Sequence, residues 1–392
     1  MKFNFDKIVN REGTNTVKYD LRRLFFGTND VIPMWVADME FEAPPCVTEA
    51  LIKRAQHKIY GYTLKPESYF QSIINWLQKR HDWDIKKEWI SSSPGVVSAV
   101  TMSVMAYTNP GDKIIVQTPV YFPFFSSITN SGRVLVNNQL QLLNGKYEID
   151  FDDLEKKINN DAKMLVLCSP HNPGGRVWTK QELQRIGELC VKNNVVIVSD
   201  EIHSDLILRD YKHIPIASIS KQISDITITL IAPSKTFNVA GLSTSVAICS
   251  SKELMKKYND ILDTNHIGFG NIFGLEALEA AYTYGEEWLE QLIDYVQDNI
   301  NFAYNFVAKN MPKIKVVKPE ATFLIWFDCR NLNLNDEELT KFFVNEAKVG
   351  LNVGNTFGKG GEGFMRMNVA CPQSLLLQGL ERIKVAYDSR FE

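Results

Sequence analysis

Short runs of apolar residues recur along the chain and alternate with longer stretches whose apolar positions follow a helical spacing. Five of the runs are rich in Val, Ile and Leu: KIIVQ (113–117), MLVLC (164–168), VVIVS (195–199), TITLIA (227–232) and SVAIC (245–249). Runs that are apolar at nearly every position, and not at every second one, are typical of strands buried on both faces. The pattern predicts a central, mostly parallel sheet.

A helix is predicted between two of these strands, over the stretch TKQELQRIGELCVKNN. Thr179 precedes Glu182 by three residues, as in a capping box, and Leu183, Ile186 and Leu189 share one helical face. A helix that connects two buried strands makes a β-α-β unit, which requires parallel strands. We therefore predict an α/β fold in which helices flank the sheet.

The pattern changes after about residue 285. The stretch EEWLEQLIDYVQDNINFAYNFVAKN predicts a long amphipathic helix, and KIKVV, TFLIWF and FMRMNV predict short strands. The chain has 392 residues, more than the roughly 250 to 300 over which a single core keeps growing. We predict a large domain over 46–285 and a smaller α+β domain made of 1–45 with 286–392. A ligand site is expected in the cleft between them.

Composition and charge narrow the function. The chain carries 43 Lys and Arg against 46 Asp and Glu, a net charge of -3, which provides no positive field to attract nucleic acid. The start, MKFNFDKIVNREG, lacks the apolar core of a signal peptide, and no apolar run reaches the roughly 18 residues of a membrane span. Six cysteines without a CxxC pair indicate neither a disulfide framework nor a zinc site. These features predict a cytoplasmic protein that acts on a small molecule or binds a protein partner.

The stretch APSKTFNVAGL, 232–242, places one lysine among small and apolar residues. Between Asp225 and Lys252, Lys235 is the only Asp, Glu, Lys or Arg. A lysine that forms a Schiff base must be neutral for part of the time, which burial promotes. Taken alone, however, a lysine in a loop after a strand is more often an ordinary solvated side chain.

Three polar side chains follow predicted strands and are expected at the same edge of the sheet, where ligands bind in open α/β sheets. Asp200 ends the strand of VVIVSDEIHSD, Asn172 lies in the stiff loop CSPHNPGGRVW, and Tyr121 lies in TPVYFPF. Each has an ordinary alternative: a helix N-cap or salt bridge for Asp200, a turn residue for Asn172 and core packing for Tyr121.

Two further segments offer sites for anions. In SSSPGVVSAVTMSVMAY, Gly95 opens a predicted buried helix, so the amides of Val96, Val97 and Ser98 would face a phosphate at the helix N-terminus. A buried helix start without a ligand is the alternative. In GEGFMRMNVAC, Arg366 emerges from an apolar strand and needs a planar anion, either a bound carboxylate or a structural Asp or Glu.

Together and in this order, the motifs GVV, PVYFPF, SPHNPGGRVW, SDEIH, APSKTFNVAGL and MRMNVAC resemble the pyridoxal 5'-phosphate (PLP) enzymes of aminotransferase fold type I. Within that group the chain is most similar to the MalY-like carbon-sulfur β-lyases, which include cystathionine β-lyase and cystalysin. The resemblance runs from WVADMEF (35–41) through IYGYT (59–63) to CPQS (371–374). It implies elimination of thiol, pyruvate and ammonia from cystathionine-type or cysteine-type amino acids.

The resemblance also implies roles for individual residues. Lys235 would form the internal aldimine with PLP and take the α-proton of the substrate. Asp200 would pair with the pyridine nitrogen, and Asn172 would hydrogen-bond the ring hydroxyl. Tyr121 would stack on the ring, and Arg366 would hold the α-carboxylate of the substrate.

Phosphate contacts are implied for the backbone amides of Val96 and Val97 and for Ser234. Tyr62 would reach the phosphate from a neighbouring subunit, so the resemblance implies a homodimer. His203 stands where many transaminases have tyrosine, and it either contacts the cofactor or only packs. The resemblance therefore places a cofactor contact in a second copy of the chain.

The chain departs from the general aminotransferase pattern at Ser243, where many members have an arginine that neutralises the phosphate. Phe122 and Gln373 differ from residues in some lyase relatives, a second tyrosine and an arginine respectively. The departure at Ser243 favours the lyase group. Transamination by the same residues stays open at this point, as does a regulatory protein-binding member with incidental lyase activity.

Overall fold

The structure, a computed structural model, describes residues 2–392. Within this range the chain forms fifteen α-helices: α1 (Val17–Asp20), α2 (Arg22–Phe26), α3 (Pro45–Gln56), α4 (Glu67–His81), α5 (Val96–Tyr107), α6 (Pro123–Thr129), α7 (Phe151–Asn159), α8 (Lys180–Lys192), α9 (Lys221–Ser224), α10 (Pro233–Thr236), α11 (Lys252–Thr264), α12 (Ile272–Tyr284), α13 (Glu286–Asn310), α14 (Asp336–Lys341) and α15 (Gln373–Phe391).

The same range contains fifteen strands in four sheets: β1 (Ile32–Pro33), β2 (Ile90–Ser93), β3 (Lys113–Val116), β4 (Val134–Asn137), β5 (Gln141–Leu143), β6 (Lys146–Glu148), β7 (Ala162–Cys168), β8 (Val196–Asp200), β9 (Thr227–Ile231), β10 (Ser245–Ile248), β11 (Lys315–Val317), β12 (Leu324–Asp328), β13 (Val349–Gly350), β14 (Asn352–Val353) and β15 (Phe364–Asn368).

The large sheet has seven strands in the order β2-β10-β9-β8-β7-β3-β4. All five strands predicted from apolar runs belong to it, and the predicted fold class is confirmed. Strand β10 alone runs against its neighbours β9 and β2. The connection from β9 to β10 contains only the four-residue helix α10 and a short 3-10 turn, too little to run back along the sheet and return in parallel.

Helices cover both faces of this sheet, which explains why its strands are apolar at nearly every position. Leu165 and Ile197 pack on one face in the same cluster as Leu183 of helix α8. Their strand neighbours Val166 and Val198 pack on the other face in the cluster that contains helix α5. The predicted capping box is present at the start of α8. The seven-stranded sheet thus separates two hydrophobic cores, one on each of its faces.

The C-terminal part forms a four-stranded antiparallel sheet in the order β11-β12-β15-β14, and helix α13 packs on β11. The N-terminal segment joins this part: Ile32 pairs with Val349 in a parallel bridge, and Phe5 packs on Trp288. The division into 46–285 and 1–45 with 286–392 stays a prediction. Between residues 2 and 392 no helix combines the length and the apolar composition that a bilayer-spanning helix needs.

Candidate active site

A cavity of about 190 Å³ lies at the carboxyl ends of β7, β8 and β9. Strand pairing aligns Cys168 of β7 with Asp200 of β8, and Asp200 with Leu230 of β9, so the three strands end together. Residues that follow the strands therefore meet at one edge. Eight of the ten predicted site residues line the cavity: Val96, Val97, Tyr121, Asn172, Asp200, His203, Ser234 and Lys235.

Lys235 lies on the one-turn helix α10 and points into the cavity. Its Nζ donates a hydrogen bond to the carbonyl oxygen of Ala37 at 2.6 Å. Burial lowers the pKa of Lys235 to about 8, and the positive charge of Arg366 acts in the same direction. Lys235 is therefore no surface lysine, and its amine loses a proton at only mildly alkaline pH.

Asp200 ends strand β8 and is buried. Its Oδ1 accepts a hydrogen bond from the amide of Ile202 at 3.1 Å, and no helix begins at this point of the chain. Burial raises the pKa of Asp200 to about 7, although that hydrogen bond and the charge of Lys235 oppose the rise. Because no ion pair involves Asp200 within the described residues, the carboxylate is available to a cationic ligand group.

Arg366 is buried beside the cavity, on strand β15. Its guanidinium donates to the side-chain oxygens of Asn172 at 2.9 Å and Asn352 at 2.6 Å, and to the carbonyl of Trp35 at 3.2 Å. No acidic side chain pairs with it in residues 2–392, and its Nε has no partner there. The guanidinium is therefore free to bind an external carboxylate, and no structural Asp or Glu neutralises it.

The N-terminus of helix α5 lines the same cavity. Gly95 is its N-cap, and the amides of Val96, Val97 and Ser98 have no intrahelical acceptor because they belong to the first turn. The hydroxyl residues Ser234, Ser243 and Thr244 also line the cavity. These residues offer several hydrogen-bond donors and the positive pole of a helix, a setting that suits a phosphate.

Tyr121 is half-buried in the cavity wall, and burial raises its pKa. His203 is buried, and this burial lowers its pKa to about 3. Its Nδ1 has no hydrogen-bond partner within the described residues. A neutral His203 therefore lines the cavity with a ring nitrogen that can form a hydrogen bond. Tyr62 is absent from the cavity wall: its side chain is 96% exposed and packs on the ring of Phe269.

Several cavity residues were not predicted from the sequence: Ala37, Cys168, Ile202 and Thr244. Ala37 belongs to the motif WVADMEF, which marked the resemblance but carried no chemical group that would single it out. Its contribution is a backbone carbonyl, which any residue has. Cys168 is a buried thiol, and its partner on the neighbouring strand is Asp200.

The chain belongs to the family Aminotransferase class I and II, whose sequence profile it matches over residues 29–383. It is 46% identical to cystathionine beta-lyase PatB of Bacillus subtilis over 384 residues, which cover 98% of this chain and 99% of PatB. It is 31% identical to protein MalY of Escherichia coli over 381 residues, with 96% of this chain and 97% of MalY covered.

A solved structure supports the same relationship. The crystal structure of cystalysin from Treponema denticola, which contains pyridoxal 5'-phosphate, superposes with a TM-score of 0.96 at 38% sequence identity. The match covers 99% of this chain and 100% of that chain. The predicted resemblance to the MalY-like carbon-sulfur lyases within the aminotransferase fold is therefore confirmed.

Proposed function

We infer that this protein is a PLP-dependent carbon-sulfur β-lyase that converts cystathionine-type or cysteine-type amino acids to a thiol, pyruvate and ammonia. The observation that carries the inference is the combination of near full-length similarity to lyases with a cavity that contains Lys235, Asp200 and the adjacent Arg366. Each of these three side chains is a buried or half-buried ionisable group without a salt bridge of its own. Such groups are costly unless a ligand compensates them.

The cavity fits PLP on observations made in this chain alone. Its wall supplies amides and hydroxyls for a phosphate and a carboxylate at the end of strand β8. The Nδ1 of His203, which has no hydrogen-bond partner in residues 2–392, and the carboxylate of Asp200 are buried polar groups that a polar heterocycle would satisfy. Lys235 lines the same cavity, and its pKa of about 8 gives it a larger neutral fraction at physiological pH than an ordinary lysine has.

PLP, when bound, supplies an electron sink for the bond that breaks at the α-carbon of an amino acid. We propose that Asp200 keeps the ring nitrogen protonated, that Asn172 binds the ring hydroxyl and that Tyr121 packs on the ring. Val96 and Val97 amides with the Ser234 hydroxyl would hold the phosphate. In this arrangement the protein fixes the ring on every side.

The substrate would be held by Arg366, whose guanidinium can bind an α-carboxylate through two parallel hydrogen bonds. Asn172 already accepts from this guanidinium and would orient it. With the carboxylate held there, the Nζ of Lys235 is the basic group available to remove the proton from the α-carbon. A lysine with a pKa near 8 has a larger fraction of unprotonated amine at neutral pH than one with an ordinary pKa, and only that form can accept the proton.

The loss of a sulfur group from the β-carbon distinguishes the lyase from an aminotransferase, which would move the α-proton to the cofactor. Both routes use Lys235, Asp200 and Arg366, so the cavity alone supports either. The lyase is favoured by the similarity to PatB and cystalysin, together with Ser243 at the position where many aminotransferases have arginine.

The test is the release of pyruvate from L-cystathionine or L-cysteine by the PLP-loaded protein in the absence of any keto acid. Sustained turnover is expected, and Lys235→Ala should abolish it together with the absorbance of the lysine-bound cofactor. A single stoichiometric half-reaction, with turnover only after a keto acid is added, would instead identify an aminotransferase.

We also propose that the protein acts as a homodimer in which Tyr62 contacts the phosphate bound by its partner. Support comes from an exposed apolar surface around this tyrosine, formed by Ile59, Tyr60, Leu64 and Phe269. Such a contiguous surface is typical of an interface.

A cytoplasmic location is proposed because the cysteines are all unpaired, as is usual in reducing compartments.

A further inference from the structure

A buried carboxylate lies behind the helix that carries Lys235. Asp205 follows strand β8 by five residues and is 4% exposed. Its Oδ2 accepts a hydrogen bond from the hydroxyl of Thr236 at 2.9 Å. Its Oδ1 accepts from the indole of Trp76 and contacts the Nε2 of His81, both at 3.1 Å. One carboxylate thus joins three parts of the chain.

No lysine or arginine forms an ion pair with Asp205 in the described part of the chain. Burial by itself would raise the pKa of Asp205, but the interaction with His81, together with the charge of Arg80 and the hydrogen bond from Thr236, outweighs burial and lowers it. Burial in turn lowers the pKa of His81. At neutral pH the arrangement is therefore an anionic Asp205 held by three donors, those of Thr236, Trp76 and a neutral His81.

The position of Thr236 gives this carboxylate a possible effect on chemistry. Thr236 is the residue after Lys235 and the last residue of the four-residue helix α10, and its side chain is completely buried. A helix of one turn has little stability of its own and takes its orientation from its contacts. The hydroxyl of Thr236 bonds to Asp205 and so connects helix α10 to the loop that follows Asp200. Through Asp205 it is also connected to the end of helix α4.

A second carboxylate reinforces the same loop. Glu201, next to Asp200, accepts from the hydroxyl of Ser199 at 2.8 Å and contacts the Nε2 of His213 at 2.8 Å. The rings of His213 and His81 meet edge to face with centroids 5.3 Å apart. Two carboxylate-histidine pairs therefore lie in contact with each other, one next in the chain to Asp200 and the other bonded to the residue that follows Lys235.

We propose that Asp205 is a positioning residue that, through Thr236, sets the place of Lys235 relative to Asp200. The inference rests on the proposed function, because it assigns the Lys235 amine a reaction in which its position matters. It predicts that loss of the Thr236 hydroxyl disturbs catalysis although that hydroxyl contacts neither cofactor nor substrate.

The experiment compares Thr236→Val with Thr236→Ser and with Thr229→Val in the PLP-loaded protein. Valine keeps the branched shape of threonine and replaces its hydroxyl with a methyl group, which cannot donate a hydrogen bond. Thr229 is the matched control, because it is also fully buried and its hydroxyl has no hydrogen-bond partner in residues 2–392. Asp205→Asn is the companion variant, and circular dichroism and thermal midpoints establish that each protein is folded.

Two readouts are needed: kcat and KM for pyruvate release from L-cystathionine, and the pH titration of the absorbance of the bound cofactor without substrate. Thr236→Val is expected to lower kcat by about 10- to 100-fold, the effect of a displacement of up to about 1 Å, with little change in KM. It should also move the midpoint of the absorbance titration, because the Lys235 amine and Asp200 then interact differently. Thr236→Ser and Thr229→Val should behave as the wild type.

The proposal is overturned if Thr236→Val matches Thr229→Val in both readouts, or if it lowers only the thermal midpoint. A wild-type protein that releases no pyruvate contradicts the proposed function, but the absorbance titration still tests the role of Asp205. The charged and titratable groups around Asp205 that could affect this titration are His81, Arg80, Tyr282 and the pair Glu201 and His213. Each is unchanged in all the threonine variants.

Discussion

Replacement of Arg366 by methionine is expected to destroy activity at a smaller cost in stability than the replacement of a buried arginine that is paired with carboxylates. Methionine fills the space of the aliphatic part of the side chain but carries no charge and no donors. The guanidinium that it removes is 3% exposed, and the three acceptors that it contacts are all uncharged: Asn172, Asn352 and the carbonyl of Trp35. Arg366 is thus a buried cation that the folded chain does not neutralise.

Burial lowers the pKa of Arg366 from 12.5 to about 10. At about 1.4 kcal/mol for each pKa unit, this corresponds to a cost of about 3 kcal/mol for keeping the group charged in the fold. Removing the charge removes this cost, which offsets part of the loss of the three hydrogen bonds that the guanidinium donates. Arg366→Met should therefore lower the free energy of unfolding by less than the loss of a buried arginine that is paired with carboxylates.

Arg176 provides a matched control for this stability measurement. It is equally buried, at 3% exposed, but its guanidinium pairs with Glu320 at 2.6 Å and Glu182 at 2.7 Å. Arg176→Met removes this buried cation from both carboxylates, although Glu320 keeps Lys146 at 2.8 Å. The change should cost about 3 to 5 kcal/mol. Urea unfolding of both variants as cofactor-free proteins measures the difference.

The catalytic effect follows from the charge-assisted bonds to the α-carboxylate of the substrate. Two such bonds at about 1.5 to 3 kcal/mol each correspond to a loss of about 100- to 10,000-fold in kcat/KM for pyruvate release. The reasoning about Arg366 is refuted if Arg366→Met is as unstable as Arg176→Met, or if kcat/KM is unchanged.

Three further predictions concern the cofactor site. Asp200→Asn should make the cofactor-free protein more stable at pH 8 by up to about 4 kcal/mol. The pKa of Asp200 in the folded protein, about 7, lies above the usual 3.8. The stabilising contribution of Asp200 is therefore complete below pH 3.8 and is lost as the pH rises through about 7. The greater stability of the variant in urea unfolding should accordingly vanish near pH 4. Tyr62→Phe should leave stability unchanged but weaken retention of PLP in dialysis by about tenfold, the loss of one hydrogen bond to a charged group, whereas Tyr284→Phe, another exposed tyrosine, should retain it normally. His203→Gln should reduce kcat without moving either limb of the pH-rate profile, because a histidine with a pKa of about 3 is neutral throughout the working range; a displaced limb would show that His203 exchanges protons.

The arrangement of the large sheet was largely predictable because its strands are buried on both faces. Successive apolar residues of a strand pack in separate clusters on opposite faces of the sheet, for example Val166 on one face and Leu167 on the other. Because both faces of the sheet are buried, its strands need apolar residues at nearly every position, and such continuous apolar runs are recognisable in the sequence. The antiparallel direction of β10 was harder to predict from the sequence, because it depends on the absence of a long helix after β9 and not on the composition of β10 itself.

The site residues were predictable where a parallel strand ends beside them. Asp200 and Asn172 follow β8 and β7, and the register of those strands brings them to one edge. Asp205 lies in the same motif as Asp200, but nothing local distinguishes a carboxylate that faces the cavity from one that lies behind Lys235. Its partners come from a helix more than a hundred residues earlier and from the turn after β9.

The sequence by itself determined the class of fold and the chemical groups of the site, because strand burial and motif order are local properties of the chain. Only the tertiary structure decided how those groups are charged. The pKa of Lys235 falls and that of Asp200 rises chiefly because packing removes water from both. Arg366 stays without an acidic partner because residues distant in the chain supply only amide and carbonyl oxygens around it. Burial and the choice of neighbours are properties of the assembled fold, since they depend on segments that meet only in three dimensions.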